Sequence, residues 1–214
     1  MKALVVYGGW DGHDPVEVSQ VQADFLKDKG FDVTRTDSLD AYKEMDPEQL
    51  DLIVQHVTMS SIEKEQLTPL LDAVMEHGVG FAGIHGGVGD SFRQSCPFQF
   101  MVGGQWVAHP GNIIDYRVHI QDHADEVTRG LDHFDMHSEQ YYMHVDPGNH
   151  VLATTTFECN GVTMPVAWKR RHGKGRVFYS SLGHVVGDLD VYEAREIMFR
   201  GMLWAAGSKK ALQS

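Results

Sequence analysis

Four short apolar runs, at residues 2–7, 31–36, 51–56 and 79–84, punctuate the first part of this chain, and stretches of helical spacing separate them. Few folds accommodate that alternation. Strand following helix in this way implies a parallel sheet whose two faces are both covered. A helix is expected from Pro15, with Asp14 as its N-cap. It repeats apolar residues at Val18, Val21, Phe25 and Leu26 and is closed by Gly30. A second is expected over about residues 61–77, with Leu67, Leu70, Leu71, Val74 and Met75 on one face and Gly78 at its end.

The second half changes character. A helical stretch over about residues 91–101 leads into a glycine-rich segment, 103–111. Short strands are expected near 113–120, 150–157, 163–168 and 175–180. A final amphipathic helix over about 191–206 presents Ala194, Ile197, Met198, Met202 and Ala205 on one face. The strands read as an antiparallel extension of the sheet and not as a second core, so residues 1–214 form a single α/β domain, a three-layer sandwich with a mostly parallel sheet. Ligands of such sheets bind at the carboxyl ends of the strands. Those ends carry Gly8-Gly9-Trp10, His56 and His85.

The formal net charge of −12 repels phosphate backbones, so nucleic acid is not an expected partner. The one dense basic run, residues 169–176, reads as a solvated hairpin turn. No apolar run approaches the ~18–20 residues that span a bilayer, and no signal peptide is legible at the start. A cytoplasmic protein without membrane contact is expected. The two cysteines, Cys96 and Cys159, form no Cys-x-x-Cys pair and suggest neither a disulfide nor a thiolate zinc site. The 13 histidines are the conspicuous feature, since several lie beside glycines in loops.

Gly83-Ile84-His85-Gly86-Gly87 has the form of a nucleophile elbow, in which small flanking residues let a tight turn lift the central side chain above the sheet. Imidazole replaces the usual serine or cysteine there, which removes the acyl-transfer nucleophile. Cys96 lies too far along the chain to stand in for it. His184 follows a strand and a glycine at 176–183, His109 sits in Trp106-Val-Ala-His109-Pro110, and His13 lies in the loop after the first strand. Glu139 offers a carboxylate in Ser138-Glu139-Gln140-Tyr141.

These pieces, taken in order with residues 122–131, Pro165-Val-Ala-Trp168 and the stretch 173–184, resemble the trehalose-utilisation (ThuA-like) family over essentially the whole chain. The resemblance implies a flavodoxin-like fold of the class I glutamine amidotransferase type, without its cysteine, and a role in sugar catabolism. It also places His184 where that fold carries its catalytic histidine. Ser138 departs from the acidic pair that relatives often carry before the aromatic residue, leaving Glu139 as one carboxylate.

His85, Glu139 and His184 are accordingly the candidate acid–base residues, because histidine and carboxylate together move protons near neutral pH. His13, Trp106, His109, Tyr141 and Trp168 are the candidate substrate-binding residues, the aromatics as platforms for a sugar ring. The expected ligand is a sugar or keto-sugar, acted on by isomerisation, elimination or hydrolysis. No cofactor is required by the sequence. A zinc or manganese ion held by His85, His109, His184 or Glu139 is the alternative, although no compact motif such as His-Glu-x-x-His is present. A non-catalytic sugar-binding protein is a third reading, and a homo-oligomer is compatible with all three. The remaining histidines, His119, His123, His133, His137, His144 and His150, are expected at the surface.

Overall fold

The structure is a computed structural model and describes residues 1–212. Strands β1 (Lys2–Gly9), β2 (Asp32–Thr36), β3 (Leu52–Thr58) and β4 (Gly80–Ile84) alternate with helices α1 (Pro15–Asp28), α2 (Ala41–Glu44) and α3 (Lys64–Met75). The turn after β4 is a single helical turn, α4 (Gly86–Gly89), followed by α5 (Cys96–Val102). The second half supplies β5 (Gly104–Ala108), β6 (Ile113–Ile120), β7 (Phe134–Glu139), β8 (Tyr142–Val145), β9 (His150–Thr156), β10 (Thr163–His172) and β11 (Gly175–Ser180), then α6 (Tyr192–Ala206).

The main sheet runs β2-β1-β3-β4-β11-β10-β9-β6-β7. Its pairings are parallel from β2 to β11 and antiparallel from β11 to β7. Alternation along the strands sorts side chains to two cores. Ala3 and Val5 join Val18 and Leu26 of α1 and Ile197 and Met198 of α6 on one face. Leu4 and Val6 join Leu70 and Val74 of α3 and Phe98 and Met101 of α5 on the other. Central strand β3 is buried throughout, as a strand covered on both faces must be. No helix among the described residues is long and apolar enough to cross a membrane. The basic run at 169–176 is the β10–β11 hairpin.

Several elements differ from the expectation. Helix α3 begins three residues late because Glu63 and Gln66 form a reciprocal capping box. The helix expected over 91–101 begins at Cys96, where the Ser95 side chain accepts from the Phe98 amide and Pro97 occupies the first turn. Asp14 does not cap α1 with its side chain; its backbone is left-handed (φ 44°) and its carboxylate faces elsewhere. Strands β5, β7 and β8 were not expected. Of these, β7 matters most, since it forms the far edge of the main sheet and ends on Glu139.

Candidate functional site

The carboxyl ends of three central strands and the end of β7 converge. From β1 the chain passes through Trp10 into a short 3-10 turn, Asp11–His13, that carries His13 inward. From β4 it passes directly into His85. After β11 it runs through Ser181 to His184, and β7 delivers Glu139 from the opposite side.

His85 adopts φ 46° and ψ −141°, a conformation that a side chain with Cβ rarely takes. The surroundings hold it there. Its amide donates to the Ser180 carbonyl at 2.6 Å, and its own carbonyl accepts from the Gly89 amide and the Tyr179 hydroxyl at 2.8 and 3.0 Å. Gly86 is required by a close approach, because a Cβ there would lie 2.3 Å from Cε1 of His13. Beneath the turn, buried Gln55 donates to the Gly87 carbonyl and to Ser91 Oγ, at 3.1 and 2.9 Å.

One carboxylate sits among four imidazoles. Glu139 Oε2 lies 3.1 Å from His85 Nε2, 3.4 Å from His184 Nδ1 and 3.8 Å from His13 Nε2. Its other oxygen, Oε1, lies 3.7 Å from His109 Nε2. The side chains of His85, His13 and Glu139 are 0%, 4% and 9% exposed, while His184 and His109 reach 15% and 28%, so the site opens on the side of those two.

Burial raises the Glu139 carboxyl, but the close His13, His184 and His85 imidazoles outweigh it and hold the group far below the usual carboxylate range. His85 is pushed down to about 3, mainly by burial, against the pull of Glu139. His184 is raised: burial lowers it, yet the Glu139 carboxylate more than compensates. Behind the site His56 is pushed down to about 4 by burial and donates from Nε2 to the His13 carbonyl at 3.0 Å.

The tautomer of His85 decides what this arrangement can hold. Nδ1 lies 2.8 Å from the Ser181 carbonyl, an acceptor only, so Nδ1 carries the proton. A neutral ring therefore turns a bare Nε2 toward an ionised carboxylate oxygen 3.1 Å away. Such a pair accommodates a cation, either a second proton on the ring or a metal ion shared by the two atoms. His184 Nδ1 is also buried and forms no aligned hydrogen bond. One atom from each of His13, His85, Glu139 and His184 lies within 4.8 Å of all the others. Neighbouring ligand atoms of a tetrahedral zinc ion with ~2.0–2.1 Å bonds stand about 3.3 Å apart, so these four residues are of the kind and nearly at the spacing that could hold one.

The other sequence candidates fall into place around this group. His109 stands outside it, next to Trp106 (ring centroids 5.6 Å), and His13 belongs inside it. Tyr141 is buried and packs its ring on His85 at 3.9 Å, which orients the imidazole and leaves little face for a sugar. Trp106 is partly exposed and carries the Arg93 guanidinium over its ring. Trp168 is a correction: it is fully buried, its Nε1–H donates to the Val102 carbonyl at 2.9 Å, and a ring with no exposed face serves the core and not a ligand. Thr58 went unnoticed in the sequence, and Trp10 was placed at a strand end without a role. Trp10 is 48% exposed and stands edge-on to His13, and Thr58 meets His13 Nδ1 at 2.9 Å. Their positions at strand ends were the available signal.

Elsewhere, Asp122, Asp125 and His150 also gather, but His150 pairs with Asp122 at 2.9 Å and the Lys169 ammonium pairs with Asp125. Cys96 and Cys159 are exposed and free, and neither belongs to the histidine cluster. A cleft of about 540 Å³ is lined by Met59, Ile62, Leu67, Phe92 and Arg93 and contains none of the clustered imidazoles.

Residues 2–205 match the model of the ThuA family, described as trehalose utilisation. A ThuA-like protein of Parabacteroides merdae superposes with a TM-score of 0.80 at 18% identity, covering 96% of this chain and 90% of its own. One from Bacteroides uniformis gives 0.77 at 17%, covering 96% and 91%. A glutamine amidotransferase of Thermotoga maritima gives 0.57 at 13%, covering 99% and 92%. At such identities the likeness speaks for the fold, a mixed α/β sandwich of the glutamine amidotransferase type. A search of curated protein sequences finds no match.

Proposed function

The chain belongs to the ThuA, trehalose utilisation, family, which suggests a role in sugar metabolism, and from that premise we propose that it is a metal-dependent enzyme acting on a sugar or keto-sugar. His13, His85, His184 and Glu139 would hold the cation. The observation that carries this reading is the convergence of three imidazoles and one carboxylate oxygen, with His85 Nδ1 engaged by the Ser181 carbonyl so that Nε2 is left to ligate. Three imidazole nitrogens and one carboxylate oxygen suit zinc better than the harder manganese.

A zinc ion held there would supply Lewis acidity toward a carbonyl or hydroxyl oxygen of the substrate. Glu139 is a poor proton acceptor, because a carboxylate held so far below its ordinary range lacks the basicity an efficient general base needs. His109 is better placed for that work. It is the most exposed of the four imidazoles and lies against Oε1, on the open side. In enolisation of a keto-sugar the C–H electron pair forms the new C=C bond and the carbonyl oxygen takes the charge. His109 Nε2 accepts the proton and returns it to the neighbouring carbon or to a leaving oxygen.

Protein purified without a histidine tag should contain about one zinc ion per chain. Turnover of 3-keto-glycosides should vanish with chelator and return with zinc. Full turnover by protein shown to be free of metal would overturn the proposal.

A further inference from the structure

The four ligand atoms are not held equally. His85 is fixed by its own ring hydrogen bond to the Ser181 carbonyl, and His13 by Thr58. His184 has no such anchor: its Nδ1 faces Glu139 without an aligned bond, and the residue lies between β11 and the next 3-10 turn, Val186–Asp190. Its place depends on the backbone that carries it.

Two carboxylates outside the cluster grip that backbone. Asp188 Oδ2 accepts the His184 amide at 2.9 Å and also the Ser138 hydroxyl. Asp14 Oδ2 accepts the Val186 amide at 3.0 Å. Ser138 immediately precedes Glu139, and Asp14 immediately follows His13. Each link therefore joins the His184 segment to the direct neighbour of another ligand. Asp14 keeps a left-handed backbone, uncommon for a residue with a side chain, and does not use its carboxylate to cap the helix it precedes. That conformation has a purpose if it both turns His13 inward and sends the carboxylate across to Val186.

We propose that Asp188 and Asp14 are positioning residues that set metal affinity through His184, without touching the metal. The inference rests on the metal reading above. It goes further by assigning the strength and geometry of the site to two carboxylates that tie three ligand-bearing segments together. Hydrogen-bonded partners of this kind orient ligands, and their loss commonly weakens a site ten- to a hundredfold.

The test uses the full chain, with zinc affinity measured by chelator competition and cobalt(II) as a spectroscopic probe. Asp188→Ala should weaken zinc binding roughly ten- to a hundredfold and alter the visible absorption of the cobalt form. Asp188→Asn, which keeps an acceptor oxygen at the same reach, should recover most of both. Asp14→Ala should behave like Asp188→Ala. Ser138→Ala removes one link and leaves the carboxylate, so it should give a smaller loss and serves if the alanine variants fail to fold. Wild-type affinity and spectrum in the folded alanine variants, or in Ser138→Ala if those fail to fold, would overturn the proposal, whatever their melting temperatures. Failure of the wild-type protein itself to take up zinc or cobalt would overturn the metal reading first and this inference with it.

Discussion

Glu139 is the residue on which the site turns, because its two oxygens meet four imidazoles that come from separate parts of the chain. Glu139→Gln keeps the shape and removes the charge. Because it removes a charged ligand, it should lower zinc affinity by more than the roughly ten- to hundredfold that loss of an outer hydrogen-bond partner costs, and abolish turnover. Chelator competition on the purified variant measures this. His109→Ala should separate metal from proton transfer. Metal content should stay at the wild-type level while kcat falls roughly 10²–10⁴-fold. Equal kcat in that variant would remove His109 from the mechanism. Single residues were largely legible in the sequence here, because histidines flanked by glycine or proline at strand ends have few purely structural uses. What could not be read was partnership. Nothing in Trp168 distinguishes it from Trp106 until the fold buries one in the core and leaves the other at the rim.

Among the elements, the turn from β4 into α4 combines a strained backbone at His85 with close packing at Gly86. Gly86→Ala places a methyl group against the His13 ring on one side and Thr58 Cγ2 on the other. The imidazole has to move, so zinc affinity should fall while far-UV circular dichroism stays close to wild type. Trp168→Ala predicts the converse. Emptying a fully buried site of that size costs about 3–5 kcal/mol of stability by denaturant unfolding, with metal affinity preserved. The parallel half of the sheet was legible because its strands are apolar runs bounded by glycine. Strand β7 was not, although Phe134, Met136 and Ser138 do alternate with exposed Asp135 and His137. Six residues with one strong apolar repeat resemble a loop until β6 pairs with them. The late start of α5 reflects the Ser95 cap and Pro97, a local signal that outweighed apolar spacing.

For the whole molecule, the metal would be a fold-stabilising ligand as well as a chemical one. Its ligands span residues 13 to 184 and join the central strands to the far edge of the sheet at β7. A ligand that binds only the folded state at a thousand times its dissociation constant adds about 4 kcal/mol. Chelator-treated protein should accordingly melt several degrees lower than the zinc-loaded form, and zinc should restore the transition. The architecture itself was readable from the alternation of strands and helices. The convergence of His13, His85, His184 and Glu139 on one point was not, because it depends on the sheet order that sets β7 opposite the central strands. The most direct test is an anomalous difference map from crystals of the zinc-loaded protein, recorded at the zinc edge. The account predicts one strong peak within bonding distance of His13 Nε2, His85 Nε2, His184 Nδ1 and Glu139 Oε2. A map with no peak among those four atoms, from crystals proven to contain zinc, would contradict it.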